Sequence, residues 1–135
     1  MSSWVLDASA LLALLNRELG SEKVVAALPD AVMSSVNLSE VVAKWVDQGR
    51  AETEIRSYLD ALGLVIVPFD VEMAYRSGGL RSRTRSAGLS FGDRACLALA
   101  ESLDVPALTS DRAWASLDLN IKRSEERRVG KECSS

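Results

Sequence analysis

The sequence contains no histidine and only two cysteines among its 135 residues. The absence of histidine excludes Ser-His-Asp and Cys-His nucleophile systems and most zinc sites. Cys96 falls in an apolar segment and Cys133 in a polar one, so the pair does not indicate a disulfide framework. Any chemistry must therefore come from carboxylates, hydroxyls, arginine or lysine.

Long apolar runs are also missing, and no stretch is long enough to cross a bilayer. No basic leader precedes an apolar stretch, so we expect a cytoplasmic protein with no membrane partner. Hydrophobic content of 47% and charged content of 26% are typical of a soluble globular domain. The formal net charge of −3 does not indicate general nucleic-acid binding, although a local basic patch would allow it.

Short apolar runs alternate with helical patterns along the chain. The runs that predict strands lie at residues 4–6, 31–34, 64–67 and 105–109. This alternation predicts an α/β fold, a three-layer sandwich in which a mostly parallel twisted sheet of about four to five strands carries helices on both faces. Residues 1–122 are expected to form one domain, and residues 123–135, which lack a hydrophobic pattern, a non-native or disordered tail.

Local signals predict several helix ends and one loop. Ser9 is predicted to cap the first helix, Asn37 to begin another, and Asp70 to cap a third. Arg81–Gly88 is basic and polar and has no apolar periodicity, so we expect a helix end that runs into a mobile loop. Trp45 lies at apolar spacing in a helix and is expected in the core, or in a groove for a partner.

Four carboxylates stand out by position. Asp7 ends the first predicted strand, Asp111 ends the last, and Glu40 and Asp93 lie in the first turns of two predicted helices. Strand ends and the following helix starts share one edge of a parallel sheet, so all four acids are expected to lie together. Like charges at close range destabilise a fold, so such a cluster requires a cation. Oxygen ligands without histidine or thiolate favour Mg2+ or Mn2+.

Each acid also has a structural interpretation. Asn37-x-x-Glu40 and Ser90-x-x-Asp93 resemble capping boxes, and the acids at the strand ends could be turn residues. Taken singly, each acid favours that interpretation, whereas four acids at one predicted edge favour a site.

Polar and basic residues near these acids are further candidates. Ser9, Asn37 and Thr109 flank the acids and are candidates for supporting them, although each is more often a cap or a strand-end group. A concentrated basic segment contains Arg81, Arg83 and Arg85. Such a segment is usually a solvated loop, but beside an acidic metal site it would also attract a phosphodiester backbone.

Taken in order, four segments resemble the motifs of PIN-domain nucleases, and within that family the VapC-type toxins of toxin–antitoxin pairs. The segments that carry the resemblance are residues 5–12, 34–41, 89–100 and 108–114. The resemblance extends from about Val5 to Leu119.

The resemblance implies a PIN-like fold and a metal-dependent endoribonuclease that cuts RNA, such as structured transfer RNA, and that a cognate antitoxin neutralises. It also implies a homodimer. The family's catalytic and metal-binding acids correspond to Asp7, Glu40, Asp93 and Asp111, which would hold Mg2+ (or Mn2+).

Two alternatives remain open from the residues. A PIN-like domain could bind RNA or a protein without cutting. An aspartyl-phosphate phosphotransferase or a phosphate-receiver domain also uses a strand-end Asp and Mg2+. The phosphotransferase normally carries a second acid two residues after the nucleophile, where this sequence has Ser9, and the receiver needs paired acids at the first strand end.

Overall fold

A four-stranded parallel sheet forms the centre of the protein. The structure is a computed structural model that describes residues 3–17 and 21–109. The sheet has the order β3-β2-β1-β4, and every neighbouring pair is parallel. Its strands are β1 (Trp4–Leu6), β2 (Ala31–Ser34), β3 (Val65–Val67) and β4 (Ala107–Leu108). The predicted parallel α/β fold is therefore confirmed.

Helices connect the strands and cover both faces of this sheet. In the described part of the chain the α-helices are α1 (Ala8–Leu15), α2 (Ser21–Ala27), α3 (Ser35–Asp47), α4 (Glu52–Ala61), α5 (Val71–Gly79), α6 (Arg81–Thr84) and α7 (Phe91–Leu103). Short 3₁₀ helices occupy Leu28–Asp30 and Arg85–Ala87.

Two hydrophobic cores lie on opposite faces of the sheet because neighbouring strand residues point in opposite directions. Val5 of β1 packs with the buried segment Cys96–Ala100 of α7 in one core. Leu6, the next residue, packs with Leu11 of α1 and Val41 of α3 in the other. Since helices bury apolar side chains against both faces, the domain has three layers.

The first turns of α1 and α3 differ from the prediction. The cap of α1 is Asp7 rather than Ser9, because the Asp7 carboxylate accepts a hydrogen bond from the Ala10 amide. Helix α3 begins at Ser35, and the Ser34 hydroxyl caps it by accepting from the Val36 amide. Asn37 therefore lies inside the helix, and Glu40 lies in its second turn rather than its first.

The segment predicted as a mobile loop is helical, and that prediction is wrong. Residues 81–87 form α6 and a 3₁₀ helix, and Gly88 ends them in a left-handed conformation with φ of 69°. Leu80 and Thr84 are buried on one side, and the Thr84 hydroxyl donates to the Leu80 carbonyl. The buried side of this segment consists of one leucine and one threonine, one turn apart. Two such residues are too few to produce an apolar periodicity in the sequence.

Three predictions lie outside the described residues: the position of Asp111, the domain end at residue 122 and the tail at 123–135. Within the described ranges, no helix has both the length and the apolar character that a membrane span requires. Asp70 caps α5 through the Met73 amide, as predicted.

Candidate functional site

A cleft of about 260 Å³ lies at the carboxyl end of β1. Three of the four predicted acids line it: Asp7 after β1, Glu40 on α3 and Asp93 in the first turn of α7. Ser9 and Lys44 also line the cleft. The predicted convergence of acids at one sheet edge is therefore observed for the three acids that the structure describes.

Asp7 is buried and accepts hydrogen bonds on both carboxylate oxygens. Its exposed fraction is 3%. Oδ1 accepts from the Ala10 amide at 2.8 Å and from the Ser9 hydroxyl at 2.8 Å, and Oδ2 accepts from the Thr109 hydroxyl. Thr109 directly follows β4, so this bond joins the ends of two neighbouring strands. Asp7 is thus both a helix cap and a wall of the cleft.

Burial raises the pKa of Asp7 from 3.8 to about 7. The hydrogen bonds from Thr109, Ala10 and Ser9 lower that pKa, while the negative charge of Asp93 raises it further. Loss of hydration therefore outweighs the three donors. A cation in the cleft would favour the ionised form of this carboxyl.

Glu40 is oriented by Asn37, three residues before it on α3. The Asn37 side-chain amide donates to Glu40 Oε1 at 2.9 Å and to the Gly92 carbonyl at 3.0 Å. Asn37 is 1% exposed. The capping-box interpretation of this pair is wrong, because both residues lie inside α3, and Asn37 instead links α3 to the start of α7.

Asp93 does belong to a capping box. Its Oδ2 accepts from the Ser90 amide at 3.0 Å, and its own amide donates to the Ser90 hydroxyl at 3.1 Å. The structural interpretation is confirmed here, and it leaves Asp93 Oδ1 without a hydrogen bond from the described residues. One oxygen fixes the side chain, and the other is available to a ligand.

The negative charges of the three acids all affect the same buried thiol, that of Cys96 on α7. Cys96, fully buried on α7, has a pKa raised first by burial and then by the negative charges of the three acids Asp7, Asp93 and Glu40. In residues 3–17 and 21–109, no arginine or lysine nitrogen lies within 4.0 Å of these three carboxylates. Their charge is therefore not neutralised by ion pairs in the described part of the chain.

The donor chemistry of the cleft fits a hard divalent cation. All candidate donors are oxygens, and Glu40 Oε2 and Asp93 Oδ1 accept no hydrogen bond from described residues. Within the described ranges, no three acidic or cysteine side chains are close enough to enclose an ion together. Mg2+ typically uses only one or two carboxylates and keeps several waters, so enclosure by three is not required.

Two residues were not predicted from the sequence: Lys44, which lines the cleft, and Gly92, which contacts one of its acids. Lys44 lies four residues after Glu40, a spacing that places both on one helix face and that the sequence does contain. Gly92 directly precedes Asp93, and its backbone contacts the Glu40 carboxylate. No sequence signal reports that contact, because the two residues are brought together by the packing of α3 against α7.

The three candidate arginines are exposed but are not among the residues that line the cleft. Arg83 forms an ion pair with Glu101 of α7 at 3.2 Å. Arg81, Arg83 and Arg85 lie on α6 and the following 3₁₀ helix. Their role in RNA binding stays a prediction.

The fold and the cleft define a class of small parallel α/β domains with acidic side chains gathered at the carboxyl edge of the sheet. Within this class, the chain belongs to the PIN domain family, whose profile matches residues 4–119. The resemblance recognised in the motifs is therefore confirmed at the level of the family. No curated protein sequence matches the chain at a significant level.

Solved structures of toxin–antitoxin proteins share this fold. A toxin–antitoxin complex from Klebsiella pneumoniae is 21% identical, with a TM-score of 0.68 over 86% of this chain and 93% of that one. VapBC2 from Rickettsia felis, bound to a promoter DNA fragment, is 17% identical, with a TM-score of 0.70 over 90% and 96% of the two chains. DNA-bound VapBC from Salmonella typhimurium is 16% identical, with a TM-score of 0.70 over 92% and 98%.

Proposed function

We propose that this protein is a metal-dependent endoribonuclease and the toxin of a toxin–antitoxin pair, acting in the cytoplasm. PIN domains of this type are generally nucleases. The observation that carries the proposal is the cleft itself, which Asp7, Glu40 and Asp93 line and in which none of them forms an ion pair with a described residue. Structured RNA such as transfer RNA is the proposed substrate.

The three acids, together with Asp111, would hold Mg2+ or Mn2+. When bound, the ion lowers the pKa of water and stabilises negative charge on the leaving oxygen of a phosphodiester. The protein's own part is to orient the acids, and the bound ion would favour the ionised form of Asp7, whose pKa burial raises. Ser9, Thr109 and the Ala10 amide hold the Asp7 carboxylate in place.

Cationic side chains would bind the phosphates of the RNA. Lys44 lines the cleft, and its ammonium group would contact the phosphate that is cut. Arg81 and Arg85 are exposed and would attract the flanking backbone, together with Arg83. Contacts of this kind position RNA without reading its sequence.

The proposed antitoxin would dock on an apolar cleft of about 400 Å³ between α1, α3, α4 and β3. Leu38, Ile55 and Leu59 are among its lining residues. Trp45 does not line this cleft, since it is 3% exposed and packs against Tyr58. The similar toxin–antitoxin complex from Klebsiella pneumoniae and VapBC2 from Rickettsia felis support an antitoxin as the partner.

A homodimer is also proposed, through the outer face of α5. Val71 is 73% exposed and Tyr75 is 78% exposed. These residues are one helical turn apart, so they form a continuous apolar surface that a second copy would cover.

The nuclease is tested by incubating the purified protein with total cellular RNA in Mg2+, in Mn2+ and in chelator. We expect cleavage only with metal. Asp93→Asn should lower cleavage by more than about 100-fold, the upper range for losing a group that merely supports a metal site. The fold should remain, because the amide oxygen of asparagine still accepts from the Ser90 amide.

Asp70→Asn is the matched control, since Asp70 also caps a helix but does not line the cleft. It should cleave as the parent does. Cleavage retained by Asp93→Asn would contradict the proposed site. A folded parent that binds RNA without cutting it would instead indicate a non-catalytic binding module.

A further inference from the structure

The Glu40 carboxylate lies directly against the backbone of Gly92. A Cβ atom built on Gly92 would overlap both carboxylate oxygens and the Cδ atom of Glu40. Gly92 does not have a positive φ, so its backbone conformation does not call for glycine. Glycine is therefore required at position 92 because a side chain would not fit there. The group that occupies the space of that side chain is the Glu40 carboxylate, a proposed metal ligand.

Asn37 holds the carboxylate in that space. Its side-chain amide donates one hydrogen bond to Glu40 Oε1 at 2.9 Å and another to the Gly92 carbonyl at 3.0 Å. One buried amide group therefore binds both the acid and the backbone against which the acid rests. The same two contacts bring Glu40 to the first turn of α7, where Asp93 follows Gly92.

Helix preference does not account for glycine at this position. Gly92 is the second residue of α7, which already has a complete capping box. Glycine within a helix costs about 0.5–1 kcal/mol relative to alanine. Gly78, inside α5, shows the contrast, because a Cβ built there meets no atom within 4 Å.

We infer that Gly92 is a positioning residue: the missing side chain leaves the space in which Asn37 holds the Glu40 carboxylate beside Asp93. This inference rests on the proposed function, because it gives Gly92 a part in cation binding. A methyl group at position 92 displaces the carboxylate and leaves the fold intact, since the displaced group is the end of a flexible side chain.

Gly92→Ala tests this in the full chain, with Mn2+ alone as the probe. We expect isothermal titration calorimetry without RNA to show about 10–100-fold weaker Mn2+ binding, the range for losing a group that orients a ligand. The unfolding temperature in chelator should be unchanged or higher. Gly78→Ala, the matched control, should bind Mn2+ as the parent does.

A double variant separates positioning from packing. Because the effect acts through Glu40, Gly92→Ala should cause no further loss of Mn2+ affinity in a Glu40→Ala background. If the single variant does not fold, the double variant should fold, since the space is then vacated. An unfolded double variant would overturn the inference.

Two further outcomes would overturn it while the parent still binds Mn2+ and cleaves RNA. One is parental Mn2+ affinity in Gly92→Ala, and the other is an equal loss of affinity in both backgrounds. A folded parent that neither binds Mn2+ nor cleaves RNA would overturn the proposed function, and this inference with it.

Discussion

Asp7 illustrates how one residue serves the fold and the candidate site together. As a cap it accepts the Ala10 amide, and as a strand-end acid it lines the cleft with Glu40 and Asp93. The sequence offered a structural role, as a turn residue, and a role in the site as alternatives for Asp7, but a carboxylate has two oxygens and several lone pairs. Asp7 therefore caps α1 and lines the cleft at the same time, which requires that its carboxyl group be buried.

That burial predicts how stability depends on pH. The pKa of Asp7 is about 7 in the folded protein against an ordinary 3.8, so the folded state binds more protons between these values. The stabilisation is complete below the lower value and is lost as the pH rises through the higher one. The free energy of unfolding in urea and chelator should therefore fall between about pH 4 and about pH 7 and level off above that.

Asp7→Asn should flatten this dependence and stabilise the metal-free protein at the higher pH, because the amide carries no charge to desolvate. Ser9 and Thr109 hydroxyls can reverse their hydrogen bonds to accept from the new amide group. Asp70→Asn, at an exposed cap, should keep the parental slope. An unchanged slope in Asp7→Asn would show that another group titrates.

Asn37 is the second residue whose loss should be costly. Asn37→Ala removes two side-chain hydrogen bonds, one to Glu40 Oε1 and a buried one to the Gly92 carbonyl. We expect a loss of about 1–3 kcal/mol in the free energy of unfolding, because each hydrogen bond contributes about 0.5–1.5 kcal/mol. Urea unfolding in chelator measures it, and a loss within error of zero would mean that water replaces the amide.

At the scale of elements, the start of α7 combines local and long-range order. The Ser90–Asp93 capping box depends on residues three apart, and its pattern was visible in the sequence. The contact between α7 and α3 through Asn37 spans 55 residues and has no such pattern. The helix start is thus stabilised locally, while its position over the cleft depends on packing.

Ser90→Ala should cost about 1 kcal/mol of folding free energy, because the Asp93 amide loses its acceptor. The Asp93 carboxylate should stay oriented, since its donor is the backbone amide of residue 90. Thermal and urea unfolding measure the first effect, and Mn2+ titration measures the second. A loss of Mn2+ binding as large as that of Asp93→Asn would show that the hydroxyl itself orients the acid.

Helix α6 shows why one element was missed. Its charged residues, including Arg81 and Arg83, dominate the sequence pattern, and the buried residues number only Leu80 just before it and Thr84 within it. The Thr84 hydroxyl is satisfied by the Leu80 carbonyl, which makes burial of a polar residue acceptable. Because threonine is a polar residue, the sequence shows no apolar periodicity here and did not predict a helix.

At the scale of the whole molecule, the exposed face of α5 predicts the oligomeric state. Tyr75→Asp places a charge in the centre of the proposed interface and should convert a dimer into a monomer in sedimentation experiments. Val25→Asp is the control, because Val25 is 52% exposed but lies on α2. A monomeric parent, or a dimer that persists in Tyr75→Asp, would exclude this interface.

The sequence by itself determined the parallel α/β fold and the gathering of acids at one edge. Alternating strands and helices dictate that topology, and in it strand ends and helix starts share an edge. Caps at Asp70 and Ser90 were equally visible, since they involve residues within one turn.

Only the tertiary structure decided how the acids are held. The Thr109 bond to Asp7 spans 102 residues, and the contact of Glu40 with Gly92 depends on how α3 packs on α7. The raised pKa of Asp7 likewise follows from burial by distant elements. Sequence patterns report neighbours within a few residues, whereas desolvation and close approach are set by the packing of segments far apart in the chain.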